Sequence, residues 1–66
     1  MSVVKVIEIT ASSPTSFEEA VKTGVAKAAE TVRNMRSAWI SEQTVVVEND
    51  AVSEFRVTMR ISFVLD

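Results

Sequence analysis

The second half of the chain is the feature that most restricts its fold. Two long runs, SAWISEQTVVVE starting at Ser37 and AVSEFRVTMRISFVL ending at Leu65, contain no Gly and no Pro and are separated only by Asn49 and Asp50. Both runs are rich in Val, Ile, Thr, Phe and Trp, residues that pack well on a pleated, half-buried surface. Asn and Asp tolerate positive φ better than most residues, so Asn49 and Asp50 predict a two-residue turn that joins the runs as a hairpin. At about 3.3 Å per residue each run reaches roughly 40 Å. In a chain of 66 residues, what remains is too small to cover strands of that length.

The first half supplies the available cover. Phe17, Ala20, Val21, Gly24, Val25, Ala28, Val32 and Met35 recur at three- and four-residue steps, which places them on one stripe of a helix. Ser16 precedes the stripe and Glu19 follows three residues later, the spacing of a capping box in which hydroxyl and carboxylate satisfy exposed backbone donors. Glu18 and Glu19 near the start and Arg33 and Arg36 near the end suit the helix dipole. These signals predict a helix from about 16 to about 35, spanning roughly 30 Å. SVVKVIEIT, Ser2 to Thr10, reads as a first strand and ASSPTS as the loop into the helix. The predicted order is strand, helix, strand, strand, with one sheet face under the helix and the other left for water or another subunit.

Size and composition favour another subunit. Below roughly 70 to 80 residues a single core rarely gives more than a few kcal/mol, and small proteins add disulfides, a metal or oligomerisation. The chain has no Cys and no His, which removes disulfides and the usual zinc sites. A hydrophobic content of 47% leaves apolar surface over once the helix is packed, so oligomerisation is expected. No basic start leads into an apolar block, and no run approaches 18 apolar residues, so a cytoplasmic, soluble protein is expected. The net charge is −2 with Lys and Arg scattered, which offers no footprint for nucleic acid or an anionic membrane. Without His, Cys or Tyr the usual general bases and thiol nucleophile are missing, so no enzyme is expected.

Parity sorts the strands, because alternate residues face opposite sides. In the last run Phe55, Val57, Met59, Ile61, Phe63 and Leu65 form the face expected under the helix, and Glu54, Arg56, Thr58, Arg60 and Ser62 form the other. In the preceding run Ser37, Trp39, Ser41, Gln43, Val45 and Val47 share one side, with Ala38, Ile40, Glu42, Thr44 and Val46 on the other. Neither side is cleanly apolar, as expected if the helix partly buries one and neighbours the other.

The order strand, helix, strand, strand in so short a chain, with the opening VIEITASSPTSFEEAV, the helix segment KAAETVRN and the ending EFRVTMRISFVL, resembles the dodecin family across essentially its whole length, as one domain over 1–66. The resemblance implies an α+β fold, β-α-β-β, with a three-stranded antiparallel sheet wrapped around one helix. It implies assembly with copies of itself into a hollow homododecamer of tetrahedral symmetry. It also implies a flavin ligand, riboflavin or FMN, held in pairs between subunits: a Trp at the start of the second strand stacks on the isoalloxazine ring and a Gln in the third strand bonds to its polar edge. Laid on that pattern without gaps, this chain has Ser37 at the stacking position and Arg56 at the Gln position, so both depart from it.

Trp39 lies on the side of Ser37, roughly 7 Å further along the strand. Its indole offers a displaced stacking surface, or it fills a subunit contact, as buried aromatics commonly do. With Gln43 on the same predicted side, the candidate flavin-binding set is Ser37, Trp39, Gln43 and Arg56. Arg56 and Arg60 hold an anionic ligand group or pair with Glu42, Glu48 or Glu54. Glu42, Glu48, Asp50, Glu54 and Asp66, gathered at a symmetry axis, would suit Ca²⁺ or Mg²⁺, although a solvated acidic surface is the simpler reading. Two functions follow: a shell that binds or stores a small aromatic ligand with weakened flavin affinity, or a structural or ion-associated dodecamer with no storage role.

Overall fold

A computed structural model describes residues 3–65. The elements in chain order are β1 (Val3–Ser13), α1 (Phe17–Ala28), β2 (Met35–Glu48) and β3 (Ala51–Leu65). All strand pairs are antiparallel, in the sheet order β1-β3-β2. The last strand is therefore central, and the other two are both edges. This is the β-α-β-β arrangement with one helix on a three-stranded sheet that the sequence predicts. Ser2, assigned to the first strand, lies outside the described residues.

Local chemistry sets the helix start as expected. Ser16 is extended, and its Oγ accepts the Glu19 N–H at 3.0 Å, satisfying one of the donors a helix leaves open at its first turn. Just before it, the buried Ser13 Oγ accepts the Thr15 N–H at 3.0 Å and meets the Thr15 hydroxyl at 2.9 Å. The hairpin turn also forms as read: Asn49 and Asp50 have φ of 53° and 63°, the two positive values that a type I′ turn requires.

The helix end is a correction. It stops at Ala28 rather than near 35. The N–H groups of Glu30 and Thr31 donate only three residues back, to the carbonyls of Lys27 and Ala28, which tightens the last turn and satisfies two of its open acceptors. Two β-branched residues, Thr31 and Val32, follow and weaken the helical preference. Asn34 then takes φ 60°, turning the chain into β2, and its carbonyl accepts the Val64 N–H at 3.2 Å. Met35, which continues the helical stripe in sequence, pairs with Phe63 in the sheet instead.

A 12-residue helix is about 18 Å long. The molecule measures 52 × 19 × 14 Å, so the helix covers a minor part of the sheet. It packs on β1 and β3. Ala20, Val57 and Met59 are fully buried at the contact, with Ile9, Ala11, Phe17, Val21 and Val25 around them. Phe17 meets Phe55 edge-to-face at 5.2 Å. Close approach depends on Gly24, where an added Cβ would lie 2.5 Å from Met59 Cε and 3.0 Å from Ala11 Cβ.

The strand β2 lies beyond the helix, which corrects the expectation that the helix buries one of its sides. Ile40 and Val45 remain 42% and 41% exposed. Apolar residues at the far ends, Val3, Val47, Val52 and Leu65, are also exposed. Because stability concentrates under the short helix, Met59→Ala should lower the unfolding free energy by about 2–5 kcal/mol through the cavity it leaves. Gly24→Val should cost about 1–3 kcal/mol by overpacking. Urea unfolding of each variant beside the parent checks both values.

Candidate functional site

Directly paired residues in an antiparallel sheet share a face, so the register assigns every candidate residue. The buried residues Val57, Met59 and Ile61 mark the helix-covered face. Opposite them on that face stand Ala11, Ile9 and Ile7 of β1. The other face, open in the single chain, carries Arg56, Thr58, Arg60 and Ser62 of β3, paired with Ser12, Thr10, Glu8 and Val6 of β1.

The register of β2 shifts between Met35 and Ser37 and again between Ile40 and Glu42. The second shift leaves Ser41 as an extra residue, whose Oγ donates to the Thr58 carbonyl at 3.2 Å. A bulge of this kind reverses the parity of everything beyond it. Before it, Ser37 and Trp39 pair with Ser62 and Arg60 and lie on the open face, while Ala38 and Ile40 pair with Ile61 and Met59 on the helix side. After it, Glu42 and Thr44 take the open face, and Gln43 and Val45, paired with Val57 and Phe55, take the helix side. The parity read from sequence therefore holds only as far as the bulge, and Gln43 does not share the face of Trp39.

Of the candidate residues, Ser37, Trp39 and Arg56 share the open face, but they are not gathered at one point. Arg56 pairs with Thr44, whereas Ser37 pairs with Ser62. Six residues of β3 separate these two rows, about 20 Å. A ligand touching both would have to lie between subunits. Ser37 and Ser62 meet hydroxyl to hydroxyl at 2.7 Å. Arg56 approaches Glu54, two residues along its own strand, at 3.8 Å.

Trp39 has a more compact setting. It stands across from Arg60, which on its other side pairs with Glu8, and Arg60 Nε donates to Glu8 Oε2 at 3.3 Å. Glu8, Arg60 and Trp39 thus form one transverse row over the three strands. Glu8, and not Glu42, Glu48 or Glu54, is the partner of Arg60, because β1 lies beside β3 in the sheet and no local pattern in the sequence signals that pairing. Trp39 is 45% exposed and is the only Trp in a chain without Tyr. A row of hydroxyls, Thr10 and Thr58 at 3.1 Å, lies on one side of the group, and the Ser37–Ser62 pair on the other.

The carboxylates are dispersed. Among the described residues no three of Asp and Glu converge within one chain; Glu42 and Glu54 lie on the open face, and Glu48 and Asp50 at the hairpin end. Asp66 lies outside the described residues. No helix among the described residues is long and apolar enough to cross a membrane. An apolar groove of about 580 Å³ runs between β1 and the end of α1, lined by Ile7, Ile9, Ala11, Gly24, Ala28 and Val32, with Lys27 and Glu30 at its rim.

The family model for dodecins matches residues 3–66. The chain belongs to the dodecin family. A curated relative, the calcium dodecin of Mycobacterium tuberculosis, is 38% identical over 63 residues, covering 96% of this chain and 89% of the relative. The crystal structure of a calcium-chelating calcium dodecin from the same organism, described with a novel calcium-binding site, superimposes with a TM-score of 0.87 at 35% identity, over 98% of this chain and 93% of that one. Dodecin from Streptomyces davaonensis matches with a TM-score of 0.94 at 25% identity, over 98% and 96% of the two chains.

The Glu8–Arg60 pair is about half exposed on both sides, where an ion pair contributes little. Glu8→Gln should therefore change the unfolding free energy by less than about 1 kcal/mol. A shift of the urea midpoint well beyond that range would show the row to be structural.

Proposed function

We propose that this chain, as one domain over 1–66, assembles into a cytoplasmic homododecameric shell that holds a small aromatic ligand of the flavin type, riboflavin or FMN, and does no catalysis. The observation that carries the reading is Trp39, a large flat apolar surface on the open sheet face with hydrogen-bonding groups in its own row. Membership of the dodecin family supports self-assembly. So does the amount of apolar surface a single copy leaves open on both edge strands. Flavin affinity is weaker than in dodecins that keep the stacking Trp and the polar Gln, because Ser37 has no ring to stack and Arg56 offers donors without an acceptor.

A second reading has its own support. The relative 38% identical to this chain is a calcium dodecin, and the open face and hairpin end carry carboxylates of the hard-oxygen type that suits Ca²⁺. Since they do not converge in one chain, such a site would be completed by several copies.

Native mass spectrometry should give the mass of a dodecamer; a monomer or dimer would overturn both readings. Titrating FMN into the assembled protein while following flavin and tryptophan emission then separates them, because Trp39 is the sole tryptophan. Mutual quenching that saturates at a defined stoichiometry and disappears in Trp39→Ala supports the ligand shell. Absence of quenching at micromolar flavin, with calorimetric Ca²⁺ uptake by EDTA-treated protein, supports the ion-associated shell.

A further inference from the structure

Three features of the surface offer room for a ligand: the groove beside α1, the exposed apolar ends of the strands, and the row Glu8, Arg60, Trp39. The strand ends offer only apolar surface, and in the groove the charged rim residues Lys27 and Glu30 pair with each other at 3.4 Å, so neither selects one ligand. The row combines three different chemistries on neighbouring strands, spaced about 4.8 Å apart: a stacking surface in Trp39, a fork of donors in Arg60 and a carboxylate acceptor in Glu8.

We infer that this row recognises the cyclic imide edge of a planar heteroaromatic ring: Trp39 stacks on the ring, Arg60 donates to an imide carbonyl, and Glu8 accepts the imide N–H. The inference rests on the aromatic-ligand reading and specifies how this chain achieves it. An imide edge presents one donor flanked by acceptors. Arg60 alone matches only the acceptors, since a guanidinium has five N–H donors and no acceptor. Glu8 supplies the missing complement. The two are already held together by the Arg60 Nε to Glu8 Oε2 bond at 3.3 Å, which engages one of the five guanidinium donors and one carboxylate oxygen. The other donors and the second oxygen are the groups a ligand would use. Both side chains are about half exposed, so ligand can reach them, and hydrogen bonds to charged groups are stronger than neutral ones once water is displaced.

The position of the row gives the inference its second support. Ser37 and Arg56, the two positions where flavin recognition is expected from the family resemblance, stand about 20 Å apart along the sheet, so a site using both needs two copies of the chain. Glu8, Arg60 and Trp39 are neighbours in the same chain, in direct register. Recognition moves two residues along β2 from Ser37 and acquires its polar partners across the sheet rather than along it.

The test compares lumiflavin, whose imide N–H is intact, with 3-methyl-lumiflavin, in which a methyl group replaces that hydrogen, using Trp39 quenching on the assembled protein. Lumiflavin should bind at least about tenfold more tightly than its methylated analogue, the factor expected for one charge-assisted hydrogen bond. Glu8→Ala should remove that preference by weakening lumiflavin alone, and Arg60→Met should weaken both ligands. Size-exclusion chromatography of each variant confirms that the assembly is retained. Equal binding of the two flavins by the parent protein, or a preference that survives Glu8→Ala, overturns the imide assignment and leaves the aromatic-ligand reading standing. Failure of both flavins to quench Trp39 overturns both together.

Discussion

The structure depends on one close contact, the seating of α1 on β1 and β3 through small residues. Ala20 and Gly24 allow the helix backbone down onto Met59 and Ala11, and the fully buried cluster of the described residues forms there. Everything else follows from how short that contact is. A helix of about 18 Å cannot shield a molecule 52 Å long, so both ends of the sheet, and Trp39, Ile40, Val45 and Val47 of β2, present apolar side chains that one copy leaves exposed. Burial of apolar area is the main favourable term in folding, and a chain that leaves so much of it open gains by association. The shell proposed for this family member is, on this view, the continuation of an unfinished core.

The placement of β2 at an edge has a second consequence. An edge strand has one neighbour, so it can accommodate irregularities that a central strand would resist. Bulges are common at sheet edges, and they re-aim side chains. In β2 the extra residue Ser41 keeps Trp39 on the open face with Arg60 and sends Gln43 to the opposite one. A single inserted residue thus decides which groups can meet a ligand together.

Much of the fold was legible in the sequence because its signals are local. The Ser16 cap acts on its own first turn, the Asn49–Asp50 turn needs only two tolerant residues, and the alternation from Phe55 to Leu65 runs through an unbroken strand. The helix end was not legible, because Val32 and Met35 continue a valid helical stripe. What removes them is the pull of Met35 into the sheet against Phe63 and the turn at Asn34, both tertiary effects. The site was partly legible: Trp39 stood out as the only Trp, and Arg60 as a cation on the polar face. Glu8 did not, since nothing near it in sequence indicates that it will lie beside Arg60, fifty-two positions away.

The sequence by itself determined the β-α-β-β order, the long hairpin, the single helix start and the membership of a family, because these depend on periodicity, capping and turn chemistry within a few residues. Only the tertiary structure decided that the last strand is central, that β2 escapes the helix, and that Glu8, Arg60 and Trp39 form a row while Ser37 and Arg56 do not. Strand order and register are fixed by contacts between distant segments. One extra residue reverses a strand's faces, and no local pattern of residues reveals it.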